Sequence, residues 1–175
     1  MEENIINKRC SIGFILFVIG VLFISSSNQI VYAKCTKEVT KGMVVKNEVI
    51  SAGETQIVWA GGKTENVTVE AGGRQMVYDN GKAFSTRIKP LGFQYVDDGG
   101  WAGQTTIEEK GLQIVNGAAP GTIINGEIQL STRCGVATNT AINNGSQLVY
   151  KGGTAISTTL IQVVHPIQQL CLIQL

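Results

Sequence analysis

The chain has 175 residues, a formal net charge of +1, 15% charged residues, 21 glycines, four cysteines and one histidine. A nearly neutral chain without a block of Lys and Arg argues against the electrostatic surface that binds nucleic acid. An apolar content of 43% at this low net charge argues against intrinsic disorder. A single histidine leaves no His-rich metal site, and the length fits one domain.

The segment from Met1 to Ala33 has the pattern of a secretory signal peptide. Two basic residues precede a run of apolar residues and glycine from Ile12 to Ile24, polar residues follow from Ser25 to Asn28, and Val31-Tyr32-Ala33 has the pattern of a cleavage site. This apolar run is shorter than the ~20 residues that a membrane-spanning helix needs. We therefore expect cleavage between Ala33 and Lys34, export of the mature chain, and no integral membrane segment after cleavage.

The mature chain consists of a short repeat. A glutamine recurs six times, and the sequence numbers of successive copies differ by 19, 19, 19, 16 and 18: Gln56, Gln75, Gln94, Gln113, Gln129 and Gln147. A glycine turn, an alanine and a Thr-x-Ile segment follow in most copies. Each copy therefore predicts a strand, a glycine turn, a second strand and a second turn, because glycine enters the positive-φ conformations of tight corners and β-branched residues favour strands.

We expect these copies to stack as a parallel β-helix. A unit this small cannot bury its apolar face alone, whereas stacked copies share one core and pair each strand with the next coil. Glutamines in register would form a hydrogen-bonded ladder. The prediction is an all-β chain, a β-solenoid of about six strand-turn-strand coils over residues 50–160, after a lead-in or N-terminal cap over 34–49. An antiparallel sandwich, the alternative, does not require the same residue at the same phase.

One multi-residue pattern, Gly-x-Gln-x-Val-x-x-Gly-Gly-x-Ala-x-x-Thr-x-Ile, runs through residues 50–160 and is clearest from Gly145 to Ala155. It resembles the passenger repeat of AIDA-type autotransporter adhesins. The resemblance implies a right-handed β-helix on a bacterial surface, where it mediates adhesion, autoaggregation or biofilm formation in virulence. It implies the host cell surface, or the same passenger on neighbouring cells, as partner. No cofactor is implied.

The resemblance also implies O-heptosylation of hydroxyls in the repeat. The candidate residues are Thr86, Thr105, Thr140 and Thr158. The alternative, which we favour, is that they are inward-facing residues with high β-propensity.

Four aromatic residues lie at or beside the first glycine turn of their copies. They are Trp59, Tyr78, Trp101 and Tyr150. They predict either an exposed stripe for contact with sugar or protein, or simple packing at the corner.

The end of the chain, residues 161–175, departs from the repeat. It contains no Gly, Asp, Glu, Lys or Arg, and Val163 and Val164 stand where the repeat predicts Gly-Gly. One allowed set of codons for Gln-Val-Val, CAG-GTG-GTT, encodes Gly-Gly in another reading frame, so we favour a frameshift near codon 160 over an apolar terminal cap. Members of the resembled family end in a membrane β-barrel that anchors them at the outer membrane and cell surface. We therefore expect this truncated chain in the periplasm.

Catalysis is not expected. The two acidic pairs, Asp97-Asp98 and Glu108-Glu109, fall in turns, where adjacent carboxylates are solvated and do not converge on a substrate. The runner-up is an exported β-helical protein that binds or acts on carbohydrate. Cys35, Cys134 and Cys171 would meet an oxidising compartment, where free thiols or intermolecular pairing are favoured over a Cys35–Cys134 bridge.

Overall fold

The computed structural model describes residues 8–11, 34–126 and 128–161, and in these residues all regular structure is β-strand. Of the predicted signal peptide it contains only the backbone of one strand, Lys8–Ser11. The cleavage position after Ala33 and the tail from residue 162, with the frameshift hypothesis, lie outside the described residues.

The strands form three sheets, named A, B and C. Sheet A contains β1 (Lys8–Ser11), β2 (Lys34–Val39), β5 (Glu54–Val58), β8 (Arg74–Val77), β11 (Phe93–Val96), β14 (Leu112–Val115), β17 (Ile128–Ser131) and β20 (Ser146–Val149). Sheet B contains β3 (Val44–Lys46), β6 (Lys63–Glu65), β9 (Lys82–Phe84), β12 (Trp101–Gly103), β15 (Ala118–Pro120), β18 (Val136–Thr138) and β21 (Thr154–Ile156). Sheet C contains β4 (Val49–Ile50), β7 (Thr68–Val69), β10 (Arg87–Ile88), β13 (Thr106–Ile107), β16 (Ile123–Ile124), β19 (Ala141–Ile142) and β22 (Thr159–Leu160).

Seven coils stack along one axis, and each coil runs through sheets A, B and C in turn. Equivalent residues of the repeat pair in parallel, so that Gln75 lies between Gln56 and Gln94. Among the described strands, only β1 pairs antiparallel, with β2. The parallel β-helix predicted from the repeat is therefore confirmed, and at ~4.8 Å per coil the rod is about 34 Å long.

Two features differ from the predicted six strand-turn-strand coils. The predicted lead-in, residues 34–49, forms most of the first coil, and its strands pair in register with those of the second. Each coil also has three strands, because a residue with positive φ bends the chain between sheets B and C. This residue is glycine only in the fifth coil, so the glycine pattern does not mark the corner: Asn47, Asn66, Ser85, Gln104, Asn139 and Ser157.

The inside of the rod is built from columns of small and β-branched side chains. Val77 of sheet A, Ala83 of sheet B and Ile88 of sheet C are fully buried, as are their equivalents in most other coils. At the corner between sheets A and B, a side chain on Gly62 would overlap the carbonyl oxygen of Val39 in the preceding coil. The glycines of this corner therefore allow the coils to approach to β-sheet distance.

The fifth coil, residues 111–126, is shorter than the coils before it. The ladder position advances by 16 from Gln113 to Gln129, whereas it advances by 19 from Gln94 to Gln113. Most of the shortening falls at the A–B corner, where Asn116 and Gly117 alone connect β14 to β15. The strands of this coil still pair in register with both neighbouring coils. The shortening thus changes the outline of this edge without interrupting the core.

Candidate binding surfaces and the polar interior

The six repeat glutamines point into the rod and are fully buried. The five from Gln75 onwards each donate from Nε2 to Oε1 of the glutamine one coil nearer the N-terminus, at 2.6–2.8 Å. We call this set the glutamine ladder: Gln56, Gln75, Gln94, Gln113, Gln129 and Gln147. The ladder predicted from the sequence is confirmed, and it satisfies amides that would each cost about 1–3 kcal/mol if buried without partners.

Threonine hydroxyls line the ladder. Oγ1 of Thr86 donates to Oε1 of Gln75 at 3.1 Å, and the equivalent hydroxyls of later coils donate in the same way. Three of the glycosylation candidates, Thr86, Thr105 and Thr140, are therefore buried, and Thr158 is half-buried. A sugar on a buried hydroxyl would displace the core, so the folded rod has no room for modification at these three positions.

At the first coil the ladder ends in an ion cluster. Lys37 stands in the glutamine position, with Nζ 2.7 Å from Glu48 and 3.2 Å from Glu54. The other oxygen of Glu48 accepts a hydrogen bond from Nε2 of Gln56 at 2.6 Å. Burial opposes the charge of Lys37, but hydrogen bonds and attraction to the two carboxylates outweigh it, so the pKa of Lys37 is raised. The ladder thus begins on a paired carboxylate.

The four aromatic residues predicted as one stripe lie in two different places. Trp59 and Tyr78 stack at the A–B corner, with ring centroids 4.8 Å apart and an interplanar angle of 14°. Tyr150 lies in the same corner position of the last coil and is 42% exposed. Between Tyr78 and Tyr150 this column is polar: Asp97, Asn116 and Thr132. Trp101 lies elsewhere, at the start of β12 on sheet B.

Trp101 packs beside an aromatic residue that the sequence analysis missed. The ring centroids of Phe84 and Trp101 are 4.4 Å apart, with planes inclined by 45°. Nζ of Lys63 lies 4.5 Å from the centroid of Phe84. The signal for this cluster is the outward position of both aromatics on adjacent strands of sheet B, which becomes visible only when the three-strand register is known.

A hydrogen-bonded chain crosses the A–B corner at the short fifth coil. The hydroxyl of Tyr95 donates to Asp97 at 3.0 Å and accepts from the amide of Asn116 at 2.7 Å. The hydroxyl of Thr132 donates to the same amide. Burial raises the pKa of Tyr95, and its hydrogen bond to Asp97 raises it further. Asp97 therefore serves as an acceptor within the corner, while its neighbour Asp98 is exposed.

Two further carboxylates, Glu65 and Glu108, form ion pairs on the outside of the rod. Glu108 pairs with Arg87, and Glu109 beside it is exposed. Glu65 lies 2.7 Å from Nζ of Lys46 and 2.5 Å from Nζ of Lys63, and these hydrogen bonds lower the pKa of Glu65 to about 2. Within residues 34–126 and 128–161, no three His, Cys, Asp or Glu side chains are grouped to bind a metal ion.

The cysteines differ in their surroundings. Cys35 is buried and disulfide-bonded, so the expected free or intermolecular thiol does not apply to it within this chain. Cys134 is free and exposed at the A–B corner. Cys171 lies outside the described residues. None of the described residues forms a helix long and apolar enough to cross a membrane.

Comparison with solved structures finds six matching chains. One is the crystal structure of a TibC-catalysed hyper-glycosylated TibA fragment, with a TM-score of 0.69 and 36% sequence identity over 72% of this chain and 47% of the fragment. This chain thus spans about half the length of that fragment. No protein-family description matches the sequence, and no curated protein matches it.

Proposed function

We propose that this chain, whose repeat and β-solenoid fit an AIDA-type autotransporter passenger, is an adhesive rod that acts at a bacterial surface. The observation that carries the proposal is the likeness in fold to the TibA adhesin passenger fragment, at a TM-score of 0.69 and 36% sequence identity. That likeness indicates an exported protein. Adhesion, autoaggregation or biofilm formation is the function that such a rod supports best.

The partner we propose is the host cell surface or the same rod on a neighbouring cell. A rod of stacked coils presents edges where the same position recurs about every 4.8 Å, so two rods lying side by side make several equivalent contacts. Trp59 and Tyr150 are 38% and 42% exposed at the A–B corner and would contribute most apolar area to such contacts. The contact is repeated and individually weak, which suits surfaces that carry many copies.

The experiment uses microspheres coated with the purified chain. We expect them to clump with one another or to adhere to cultured host cells, whereas albumin-coated spheres do neither. Mixing coated and uncoated spheres of two colours separates self-association from attachment to another surface. Coated spheres that remain dispersed and leave host cells bare would overturn the proposal.

A matched pair of variants tests which edge makes the contact. Replacing Trp59 and Tyr150 together by alanine should reduce clumping several-fold. The control removes two side chains of similar exposure from sheet C, Ile123→Ala and Leu160→Ala, which are 39% and 41% exposed. Equal losses in the two double variants would show that the A–B corner has no special role.

We propose the periplasm as the location of these residues when they are expressed by themselves. The test is protease treatment of intact cells that express the chain, followed by the same treatment after the outer membrane is opened. Protection before opening and digestion after it is the expected result. Digestion in intact cells would place the chain on the surface.

We further propose that the rod binds without catalysis. The two acidic pairs support this: Asp97 is an acceptor for Tyr95, Glu108 is paired with Arg87, and the partner of each in sequence is exposed. The expected result is that bound polysaccharide is recovered with unchanged chain length after hours of incubation. Shortening of the polysaccharide would favour a carbohydrate-active function.

Glycosylation, which the TibA fragment carries, is proposed here for outward hydroxyls rather than the ladder threonines. Ser157 is exposed at the B–C corner, whereas its neighbour Thr158 donates to Gln147 at 2.7 Å. Ser85 occupies the same corner in the third coil. Intact mass after coexpression with TibC should rise for the natural chain and for Thr158→Ala, and rise less for Ser157→Ala. An equal rise in all three would contradict this choice of residue.

A further inference from the structure

A groove of about 290 Å³ lies on the outside of sheet B, near the B–C corner of the fourth, fifth and sixth coils. It is lined by the aromatic rings of Phe84 and Trp101 and by Gly103 and Pro120. Gln104 and Asn139 stand at its rim. The volume is at the lower end of the range of small-molecule pockets, ~300 Å³, which fits one ring-sized group.

Gly103 determines how the indole of Trp101 lies. A Cβ atom at residue 103 would overlap the six-membered ring of Trp101, so the ring occupies the space that a side chain would fill. At the equivalent outward position the other coils all have a larger residue: Lys46, Glu65, Phe84, Pro120, Thr138 and Ile156. The fourth coil thus combines a tryptophan with the single glycine that lets it lie across the sheet.

The rim offers amide groups with unused hydrogen-bonding capacity. Gln104 and Asn139 are exposed at the corner, with φ of 57° and 53°. Oε1 of Gln104 accepts from the hydroxyl of Ser85 at 3.2 Å, which leaves its NH2 group available. Among the described residues, the side-chain amide of Asn139 has no partner. No charged side chain is among the described residues that line the groove.

An aromatic face beside neutral amides is the chemistry that recognises a sugar ring. A pyranose has a face of C–H groups, which packs against the electron-rich face of an indole. Its hydroxyls lie around the ring edge, where amides can both donate to them and accept from them. A neutral lining suits a sugar without carboxylate or sulfate, because an anionic group would be desolvated there without a cation.

We propose that this groove binds one neutral hexopyranose unit of a glycan, with Trp101 as the stacking platform and Gln104 and Asn139 as the hydroxyl partners. The inference rests on the proposed adhesive function and deepens it, because it names neutral glycan as the class of ligand on the surface that the rod contacts. A proline-rich peptide also packs on aromatic grooves, and it is one of the outcomes of the test.

The test uses the fact that the chain has two tryptophans, Trp59 and Trp101. The full purified chain is titrated with neutral tetrasaccharides of glucose, galactose and mannose, and binding is followed by tryptophan emission and saturation-transfer NMR. Trp59→Phe leaves Trp101 as the reporter and should retain the emission change. Trp101→Phe leaves Trp59 as the reporter, and its emission should not change.

Two variants disrupt the groove by different routes. Trp101→Ala removes the platform, and Gly103→Ala keeps the indole but displaces it; each should lower affinity at least tenfold. Val49→Ala removes an exposed apolar side chain from sheet C of the first coil; it is the control and should bind as the natural chain does. Circular dichroism of each variant checks that the sheets are intact, and the Gly103→Ala result stands even where the loss of Trp101 affects folding.

The proposal fails if no neutral tetrasaccharide binds saturably at up to about 10 mM, or if Trp101→Ala and Gly103→Ala bind as the natural chain does. Binding only of oligogalacturonate or of a proline-rich peptide also overturns it. Coated spheres of the natural chain separate this result from the proposed function. Clumping without sugar binding would contradict the groove and leave the adhesive rod, whereas sugar binding without any adhesion would do the reverse.

Discussion

The inward column of sheet A and the column at its A–B corner differ in how much their residues vary between coils. The inward column repeats one residue in six successive coils, and every member is fully buried and bonded to the next. The corner column that follows the same strands changes chemistry from coil to coil: Thr40, Trp59, Tyr78, Asp97, Asn116, Thr132 and Tyr150. An inward amide must hydrogen-bond to two neighbours, so it cannot vary alone, whereas a corner side chain contacts solvent and, in some coils, one neighbouring side chain. The inward column therefore fixes the register of the coils, while the chemistry of the corner column is able to vary.

Replacing Gln94 by leucine should have the largest effect. Gln94 donates to Gln75, and it accepts from Gln113 and Thr105, so leucine leaves several buried groups without partners. We expect a loss of about 2–6 kcal/mol in the free energy of unfolding, measured by urea denaturation. Gln104→Leu makes the same chemical change at an exposed corner and should cost less than about 1 kcal/mol. Similar losses in the two variants would remove the distinction between the columns.

Replacing Lys37 by methionine should come next. It leaves Glu48 and Glu54 together without their cation, at an expected cost of about 2–4 kcal/mol at neutral pH. Because the folded pKa of Lys37 is raised, its contribution is complete below the unfolded pKa of ~10.4 and is lost as pH rises through the folded value. The difference in stability between the natural chain and the variant should therefore shrink above that pH. A difference that stays constant would contradict the ion cluster.

Replacing Ser131 by valine should stabilise the rod. Ser131 occupies the position of Val115 and Val149, and its buried hydroxyl has no hydrogen-bond partner among the described residues. We expect a gain of about 1–2 kcal/mol from removing this group and filling the column. The control, Ser146→Val, makes the same change at an outward position of sheet A and should be nearly neutral. A destabilised Ser131→Val variant would indicate that the serine has a partner of its own.

The smallest expected effect concerns the outward ion pairs of Glu65. Its pKa of about 2 lies below the ordinary value of 4.5, so its contribution is present above pH 4.5 and is lost as pH falls towards 2. The unfolding midpoints of the natural chain and Glu65→Gln should converge over this interval. They should also converge in about 1 M salt, because screening weakens exposed pairs. A difference that persists at pH 2 would point to a packing effect.

Much of the fold follows from the sequence because stacking converts a one-dimensional period into identical columns. The recurrence of Gln56 and its equivalents predicted the parallel register and the ladder. The third strand of each coil was missed because the B–C corner is made by Asn, Ser or Gln at positive φ, such as Ser85 and Gln104, and not by the glycine that usually marks such a bend.

The contacts between outward side chains were also difficult to predict from the sequence, because they depend on the three-strand register of each coil. Trp59 and Tyr78 fall one period apart, and their stacking could be anticipated from spacing alone. Trp101 and Phe84 are not related by the period of the repeat and occupy different positions on neighbouring strands, so their contact depends on the full register of sheet B. The groove also depends on Gly103, because the indole of Trp101 occupies the space that a side chain at residue 103 would fill.

The one-way order of the glutamine ladder gives the rod an electrostatic direction. Every amide of the glutamine ladder points its N–H group towards the first coil and its carbonyl towards the last. The amide dipoles therefore add along the axis, as peptide dipoles do in a helix. The carboxylate of Glu48 lies at the positive end of this array. A rod that assembles from that end offers each incoming coil a carbonyl oxygen already in place.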